Sequence, residues 1–262
     1  MTEWIDTHCH LNEDAFAADL DAVVQRAVDA GVVRMLVVGC TLASSQAAVE
    51  LAARFEPLYA VVGIQPNYVQ EARPGDFAEI ERLAESPKVV AIGETGLDRY
   101  WDFAPIELQR DYFGRHIELS QRRQLPFVVH CRDAEADVAD VLQQAASRGP
   151  LSGVMHSFSG DLATAEICWN LGMHISFAGM VTFKRNAPLR EVAKVVPADR
   201  ILVETDSPYL MPSPLKNDKG PKRNEPANVR YTANHVAEVR GATSEDFAAL
   251  TTANARRLFR LP

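Results

Sequence analysis

Eight short runs of apolar or β-branched residues alternate with longer amphipathic segments along the chain. In each longer segment apolar residues recur at helical spacing, whereas the short runs have the length and composition of buried strands. The runs lie near residues 3–8, 33–38, 58–63, 88–93, 126–130, 152–156, 173–177 and 200–205. Eight strand–helix repeats in 262 residues match the size and rhythm of a (β/α)8 TIM barrel.

A doubly wound open sheet has the same rhythm, and the placement of polar residues decides between the two folds. Six potential metal ligands close or directly follow five of the eight runs, namely the first, fourth, fifth, sixth and eighth: His8, His10, Glu94, His130, His156 and Asp206. The carboxyl ends of all barrel strands meet at one mouth, whereas strands this far apart in an open sheet would usually be too distant to share an ion. We therefore predict a single α/β domain over residues 1–262, folded as a TIM barrel.

Each potential ligand, taken alone, is also compatible with a structural role. His8 and His10 alternate along a strand, so both imidazoles face one side and can share a divalent ion, but two surface histidines at a strand end would have the same spacing. Glu94 lies between Gly93 and Gly96, which predict a sharp turn at the strand's end, and it is also compatible with a helix cap or an ion pair. A lone strand-end histidine is usually a core or rim residue. Because all six residues occupy the same place relative to their strands, a role as metal ligands is favoured over separate structural roles.

Six ligands are too many for one catalytic ion that keeps an open position, and they suit two ions with Glu94 between them. Mixed imidazole and carboxylate ligands are typical of Zn²⁺, Mn²⁺ or a partly hydrated Mg²⁺. Such a pair of ions lowers the pKa of a bound water, and Glu94 and Asp206 are the predicted catalytic carboxylates. Glu204, two residues before Asp206, is equally compatible with a supporting and a structural role. Hydrolysis by the bound water is the predicted reaction class. Redox, ATP and serine-nucleophile chemistry have no support, because the chain has neither a glycine-rich phosphate loop nor a G-x-S-x-G motif.

Composition limits the partners and the compartment. The net charge of −8 argues against a protein that coats long duplex DNA. The four cysteines are widely spaced, which predicts reduced thiols, and no run is long enough to cross a bilayer. Since the amino terminus also lacks the pattern of a signal peptide, we expect a cytoplasmic protein with no membrane contact, and a monomer.

Several motifs together resemble those of the TatD family of metal-dependent deoxyribonucleases. They run in order along essentially the whole chain: residues 7–11 (THCHL), 93–98 (GETGLD), 125–132 (LPFVVHCR), 156–160 (HSFSG), 204–210 (ETDSPYL), 223–226 (RNEP) and 254–259 (NARRLF). The resemblance implies a TIM barrel, a divalent-metal nuclease that is often exonucleolytic, and the six ligands named above. One position departs from the family, which commonly has a G-x-H-P motif where this chain has Gln65 before Pro66. Glutamine cannot act as a general acid near neutral pH, so no catalytic role is assigned to it.

The first hypothesis is therefore a two-metal phosphodiesterase that acts on single-stranded or end-frayed DNA. The alternative keeps the barrel and the metals but hydrolyses esters or amides, as an aminoacyl-tRNA deacylase does, because fold does not fix function. A nucleic-acid-binding scaffold with a structural metal is disfavoured, since structural sites close their coordination with fewer ligands.

Predictions for substrate contacts are less specific. Arg132 follows a predicted ligand and could bind a phosphate, although a structural ion pair fits equally well. Arg223 is the second predicted substrate-binding residue. It lies with Lys216, Lys219 and Lys222 on a loop after the eighth strand, and a solvated charged loop is the default interpretation for all four. Mouth-loop aromatic residues could stack on bases or simply pack: Tyr68, Tyr100, Trp101 and Phe158. No function is assigned to His116, His174 or His235.

Overall fold

The computed structural model describes residues 2–216 and 223–262. Eight parallel strands pair in sequential order into one sheet. Their bounds are β1 (Trp4–Cys9), β2 (Val32–Val38), β3 (Leu58–Val62), β4 (Val89–Asp98), β5 (Phe127–Arg132), β6 (Gly153–Met155), β7 (Met173–Phe177) and β8 (Ile201–Val203).

The sheet closes between β1 and the segment that follows β8. The amide of Asp206 donates to the carbonyl of His8 at 2.9 Å, and the amide of His10 donates to that of Ser207 at 2.7 Å. A parallel bridge also pairs Cys9 with Ser207. The predicted (β/α)8 barrel is therefore confirmed, and it is closed at the end where the predicted ligands lie.

Helices alternate with the strands, and helix caps explain several of the boundaries. Thr41 and Ser44 form a reciprocal capping box at one helix start, and the Asp161 and Thr243 side chains cap two others. The bounds are α1 (Leu20–Asp29), α2 (Leu42–Arg54), α3 (Asp76–Leu83), α4 (Ile106–Arg123), α5 (Glu135–Ala146), α6 (Leu162–Asn170), α7 (Ala187–Val195), α8 (Val229–Arg240) and α9 (Ser244–Phe259). Among the described residues, none of these helices is both long and apolar enough to cross a membrane.

The interior of the barrel is filled by side chains, and its amino-terminal end is covered by α9. Inward-facing residues of the strands form one buried apolar cluster with residues at the end of α9: Ile5, Leu36, Val38, Val61, Val90, Ala91, Val128, Val154, Leu202, Ala255, Leu258, Phe259 and Leu261. The α9 side chains of Thr252 and Asn254 bond the carbonyls of Glu3 and Ile201, at the start of β1 and β8. These contacts close the amino-terminal end of the barrel and leave the carboxyl-terminal mouth as its open end.

Two elements differ from the prediction. The apolar periodicity of residues 14–30 predicts one helix, but the segment begins as a short 3-10 turn (Asp14–Phe16), and α1 starts only at Leu20, because Asp19 has a non-helical backbone. The predicted turn after residue 93 was wrong, since β4 continues to Asp98. Gly93 and Gly96 have φ values of +137° and +131°, and a Cβ at Gly96 would lie 2.0 Å from the carbonyl oxygen of His130. These glycines therefore let β4 run close beside β5 instead of turning away.

Candidate metal centre

All six predicted ligands meet at the barrel mouth. They come from the carboxyl ends of five strands: His8 from β1 and His10 just after it, Glu94 from β4, His130 from β5, His156 just after β6, and Asp206 after β8. His8, His10, Glu94 and His156 are buried, and the side chains of His130 and Asp206 are 17% and 14% exposed. The structure thus gathers residues that are up to 198 positions apart in the sequence, from His8 to Asp206, into one cluster.

Three of these side chains surround one small volume. His8 Nε2 and His10 Nε2 are 3.2 Å apart, and Asp206 Oδ1 lies 3.4 Å from His10 Nε2 and 3.7 Å from His8 Nε2. Two nitrogens at ordinary bonding distance from a tetrahedral Zn²⁺ stand about 3.3–3.4 Å apart, given Zn–N bonds of about 2.0–2.1 Å. The spacing therefore fits a shared divalent ion.

The two oxygens of Glu94 face different partners. Oε2 lies 3.5 Å from His8 Nε2, whereas Oε1 lies 2.9 Å from His130 Nδ1 and 3.1 Å from His156 Nε2. Ligand atoms of His8, Glu94 and His156 all lie within 4.8 Å of one another, and His130 joins the cluster through Glu94. Glu94 thus connects the His8–His10–Asp206 group to the two later histidines.

The far nitrogens of three imidazoles contact fixed oxygens. His130 Nε2 lies 2.9 Å from Asp98 Oδ2, and His10 Nδ1 lies 3.2 Å from the carbonyl oxygen of Val38. His156 Nδ1 lies 3.3 Å from Glu204 Oε1 in an electrostatic contact. Partners of this kind set the tautomer and the ring orientation of metal-binding histidines.

Glu204 is held by donors of its own. It accepts hydrogen bonds from the Ser157 amide at 2.6 Å and the Ser176 hydroxyl at 2.5 Å. Its carboxylate contacts the outer nitrogen of His156 and not the ligand-facing one. This geometry favours the supporting role over direct coordination.

The centre carries a surplus of buried negative charge. Among the described residues, the carboxylates of Glu94, Asp98, Glu204 and Asp206 form ion pairs only with histidines. Burial opposes the ionisation of Glu94, but the charge of His156 and hydrogen bonds from the surrounding histidines hold its pKa well below the usual range. Histidines bind metal only as neutral imidazoles, and with the histidines in that form the ionised carboxylates need other cations to balance them, so the donor set fits divalent metal ions.

Sequence reasoning missed two side chains that contact the cluster, Asp98 and Cys40, and one, Asp6, that holds the backbone beside it. Asp98 contacts His130, and Cys40 Sγ lies 3.7 Å from Glu94 Oε2 and 3.9 Å from His10 Nδ1. Asp6 accepts hydrogen bonds from the backbone and side chain of Thr205, and burial raises its pKa to about 8. Cys40 follows the end of β2 and Asp98 ends β4, so the strand-end criterion that identified the ligands also applies to them.

The predicted arginines differ in their surroundings. Arg132 is exposed at the end of β5, where its guanidinium lies 3.7 Å from the centre of the Tyr100 ring. Arg223 instead forms two hydrogen bonds to Asp19, at 2.7 and 2.9 Å, and stacks over Phe16. Its guanidinium thus already donates to Asp19, and the geometry gives no support to substrate binding by Arg223.

The basic loop after β8 is described only in part. Lys216 Nζ lies 3.8 Å from the centre of the Phe183 ring. Lys219 and Lys222 lie outside the described residues. Of the predicted stacking residues, Phe158 is buried, whereas Tyr68, Tyr100 and Trp101 are exposed.

The Gln65 segment supports the centre from outside it. Gln65 Oε1 accepts a hydrogen bond from the Asn67 amide at 2.8 Å, and Asn67 Nδ2 donates to Asp98 Oδ2 at 3.0 Å. Behind this segment, His116 Nε2 accepts from the Ile64 amide at 3.0 Å, and burial lowers the pKa of His116 to about 4. A neutral His116 therefore holds the loop in place.

A parallel-stranded barrel with such a cluster at its mouth defines a metal-dependent hydrolase. The family model described as "TatD related DNase" matches residues 5–260. The chain belongs to the TatD family.

Individual relatives match over nearly their whole length. The chain is 40% identical to "Uncharacterized metal-dependent hydrolase YabD" of Bacillus subtilis, with 98% of each chain covered. It is 38% identical to "3'-5' ssDNA/RNA exonuclease TatD" of Erwinia billingiae, over 98% of this chain and 99% of that one. The solved structure of YJJV, a TatD homologue from Escherichia coli K12, superimposes with a TM-score of 0.91 at 29% identity, covering 100% of this chain and 99% of the other.

Proposed function

We propose that this enzyme hydrolyses phosphodiester bonds at the ends of single-stranded or frayed DNA, with two divalent ions held at the barrel mouth. The observation that carries the proposal is that the two carboxylate oxygens of Glu94 face two separate groups of histidines. A carboxylate in this position suits two ions better than one. The relative named as a 3'-5' ssDNA/RNA exonuclease, 38% identical over almost the full length, supports nucleic acid as the substrate.

The side chains divide into two candidate ligand sets. His8, His10 and Asp206 would hold one ion together with Glu94 Oε2, and His130 and His156 would hold the other together with Glu94 Oε1. The mixture of nitrogen and oxygen donors suits Zn²⁺ or Mn²⁺, and Mg²⁺ if water completes its shell. When bound, two such ions lower the pKa of water and stabilise negative charge on phosphate oxygens.

Asp206 is the candidate general base. Burial opposes its ionisation, but the hydrogen bond with His10 and the charges of His8 and His156 hold its pKa below the usual value. Oδ1 faces His10 and His8, and Oδ2 has no hydrogen bond among residues 2–216 and 223–262, so Oδ2 would accept the proton from the attacking water. Asp206 lies within the cluster and would act directly beside the reacting phosphate.

The test is hydrolysis of end-labelled single-stranded DNA by the purified protein with Mg²⁺, Mn²⁺ or Zn²⁺. Asp206→Asn should lower kcat by about 10²–10⁴-fold, the usual range for a general base. Glu94→Gln should lower both the rate and the number of ions bound per chain, measured by elemental analysis. His235→Ala is the control, because His235 lies on α8, outside the cluster, and this variant should keep full activity.

Two results would reject the proposal. One is hydrolysis of DNA that is unchanged by metal removal and by Glu94→Gln. The other is rapid cleavage of a panel of esters and aminoacyl-tRNA with no cleavage of DNA, which would establish the ester and amide hydrolase instead.

A further inference from the structure

Exposed aromatic side chains are concentrated at the barrel mouth. Eight large hydrophobic side chains are exposed among the described residues, and five of them are aromatic residues on loops that follow β3, β4 and β8: Tyr68, Tyr100, Trp101, Phe103 and Tyr209. Three of the five come from the single loop after β4. A contiguous apolar patch beside a reaction centre is a feature of binding sites.

Tyr100, Trp101, Phe103 and Arg132 form one layered surface, which we call the aromatic shelf. The Trp101 and Phe103 rings are stacked, with centroids 5.3 Å apart and planes 8° from parallel, and Tyr100 meets Trp101 edge-on at 4.8 Å. The Arg132 guanidinium lies 3.7 Å from the Tyr100 centroid and 5.6 Å from that of Trp101. The three aromatic residues are 43–57% exposed, so the shelf faces solvent.

The aromatic shelf is built onto the metal centre through Asp98. Oδ1 of Asp98 accepts hydrogen bonds from the amides of Tyr100 and Trp101 at 2.9 and 3.0 Å, while Oδ2 contacts His130 Nε2. Arg132 pairs with Asp98 in the β4–β5 register and stands two residues beyond His130, about 6.5 Å along the strand. If a phosphate of a nucleic-acid strand binds at the metal centre, the neighbouring nucleotides of that strand would therefore lie against the aromatic shelf.

The cation of the shelf is available for a ligand. Among the described residues no carboxylate pairs with Arg132, and Asp137 is already paired with Arg99 and Arg110. An arginine that is stacked on a ring keeps the edge of its guanidinium free for bidentate contact with a phosphate. A chain with a net charge of −8 has little general attraction for nucleic acid, so local contacts have to supply the affinity.

We propose that the aromatic shelf binds the unpaired bases next to the scissile phosphate, with Arg132 on a neighbouring phosphate. This inference rests on the proposed nuclease function and adds the side chains that bind the single strand. Flat rings stack on any base, so binding is tolerant of sequence, but bases inside a duplex are already paired and stacked. The shelf therefore selects single strands over duplexes.

The test measures binding of two labelled ten-nucleotide single strands of DNA with phosphorothioate linkages, which resist hydrolysis. One strand carries thymine at every position and the other is abasic throughout. By fluorescence anisotropy with Mg²⁺ present, the wild-type protein should bind the thymine strand at least about fivefold more tightly, the lower limit for one stacked base. Trp101→Ala and Phe103→Ala should each remove most of this preference and leave binding of the abasic strand unchanged.

Arginine variants separate charge from stacking. Arg132→Ala should weaken binding of both strands, and Arg132→Lys should restore the abasic strand more than the thymine strand. Arg115→Ala is the matched control, because Arg115 also lies over two rings, Phe77 at 4.1 Å and Tyr112 at 4.7 Å, but on the outer helix layer. This control should bind both strands as the wild type does.

Several outcomes would overturn the inference. They are equal wild-type affinity for the two strands, an equal loss on both strands in Trp101→Ala, and a change of oligomeric state in Phe103→Ala, which would make the shelf an interface between copies. The two proposals fail separately. A thymine preference without DNA hydrolysis rejects only the nuclease, and hydrolysis without a base preference rejects only the shelf.

Discussion

Replacing Asp98 with asparagine should disable one ion site while the barrel stays folded. The buried carboxylate contacts His130 Nε2 and Asn67 Nδ2 through Oδ2, and it accepts from the Tyr100 and Trp101 amides through Oδ1. An asparagine oxygen that stays on the two backbone amides would turn its NH₂ group toward His130 and Asn67. Both would then face a donor instead of an acceptor.

The consequence for His130 follows from its tautomer. His130 Nε2 faces Asp98 and Nδ1 faces Glu94, each at 2.9 Å, so in the metal-binding tautomer the proton would lie on Nε2 toward Asp98 and the lone pair on Nδ1 would be free for the ion. An NH₂ group at Asp98 would favour the opposite tautomer, with the proton on Nδ1, and that nitrogen could no longer bind metal. Loss of such an orienting partner typically costs 10–100-fold in metal affinity, or about 1.4–2.7 kcal/mol.

The pKa shift of Asp98 corresponds to a free energy of similar size. Burial opposes its ionisation, but hydrogen bonds from His130, Trp101 and Asn67 hold its pKa at about 2, against an ordinary value of 3.8. This difference corresponds to about 2 kcal/mol in favour of the ionised form. It is present above pH 3.8 and lost as the pH falls through 2, so the interactions are in place at neutral pH.

The assay is competition titration of Zn²⁺ with a chromophoric chelator. The wild type should show two binding steps, and Asp98→Asn should weaken only one of them, by 10–100-fold. Asp246→Asn is the control, because Asp246 is exposed in the first turn of α9, where its side chain is hydrogen-bonded with Thr243 and not with the cluster. Two binding steps within twofold of wild type in Asp98→Asn would refute this account of His130.

Three further predictions concern stability. Because burial lowers the pKa of His116 to about 4 from 6.5, the contribution of His116 to the free energy of unfolding should be constant above pH 6.5 and fall by up to about 3 kcal/mol as the pH drops toward 4; urea titrations in which His116→Gln has the same pH dependence as the wild type over this range would contradict this. Gly96→Ala should destabilise the barrel and distort the centre, since its Cβ would lie 2.0 Å from the His130 carbonyl oxygen; wild-type thermal stability and metal content would rule that out. Phe259→Ala should cost about 3–5 kcal/mol of stability by calorimetry, yet leave DNA hydrolysis at 25 °C unchanged, because Phe259 fills the end of the barrel far from the mouth; a loss of kcat in still-folded protein would argue against this separation.

The fold could be predicted because its signals are local and repeated. All eight strands lie within a few residues of the predicted runs, since a buried parallel strand must be apolar on both faces. The boundary of β4 could not be predicted in the same way. A glycine pair can end a strand or let it pass close to a neighbour, and only the carbonyl of His130 in β5 decides which.

The sequence identified the six side chains that cluster at the mouth, but not the side chains that contact them from behind. Ligands have to end strands, so their positions in the sequence carry information. The contact of Asp98 with His130, or of Cys40 with Glu94, depends on which side chains face each other between neighbouring strands. Arg223 shows the same limit. Its positive charge suggested a contact with a substrate phosphate, but in the folded chain it contacts Asp19 and Phe16.

The closure of the barrel has a consequence for synthesis. Asp206 bonds the backbone of His8 and faces its imidazole, so the last ligand to leave the ribosome completes a pocket whose first ligand emerged 198 residues earlier. Chains interrupted anywhere before that point lack the full set of metal donors. Assembly of the complete donor set is thereby tied to a chain extended past Asp206, and shorter nascent fragments would be unable to form the proposed metal centre.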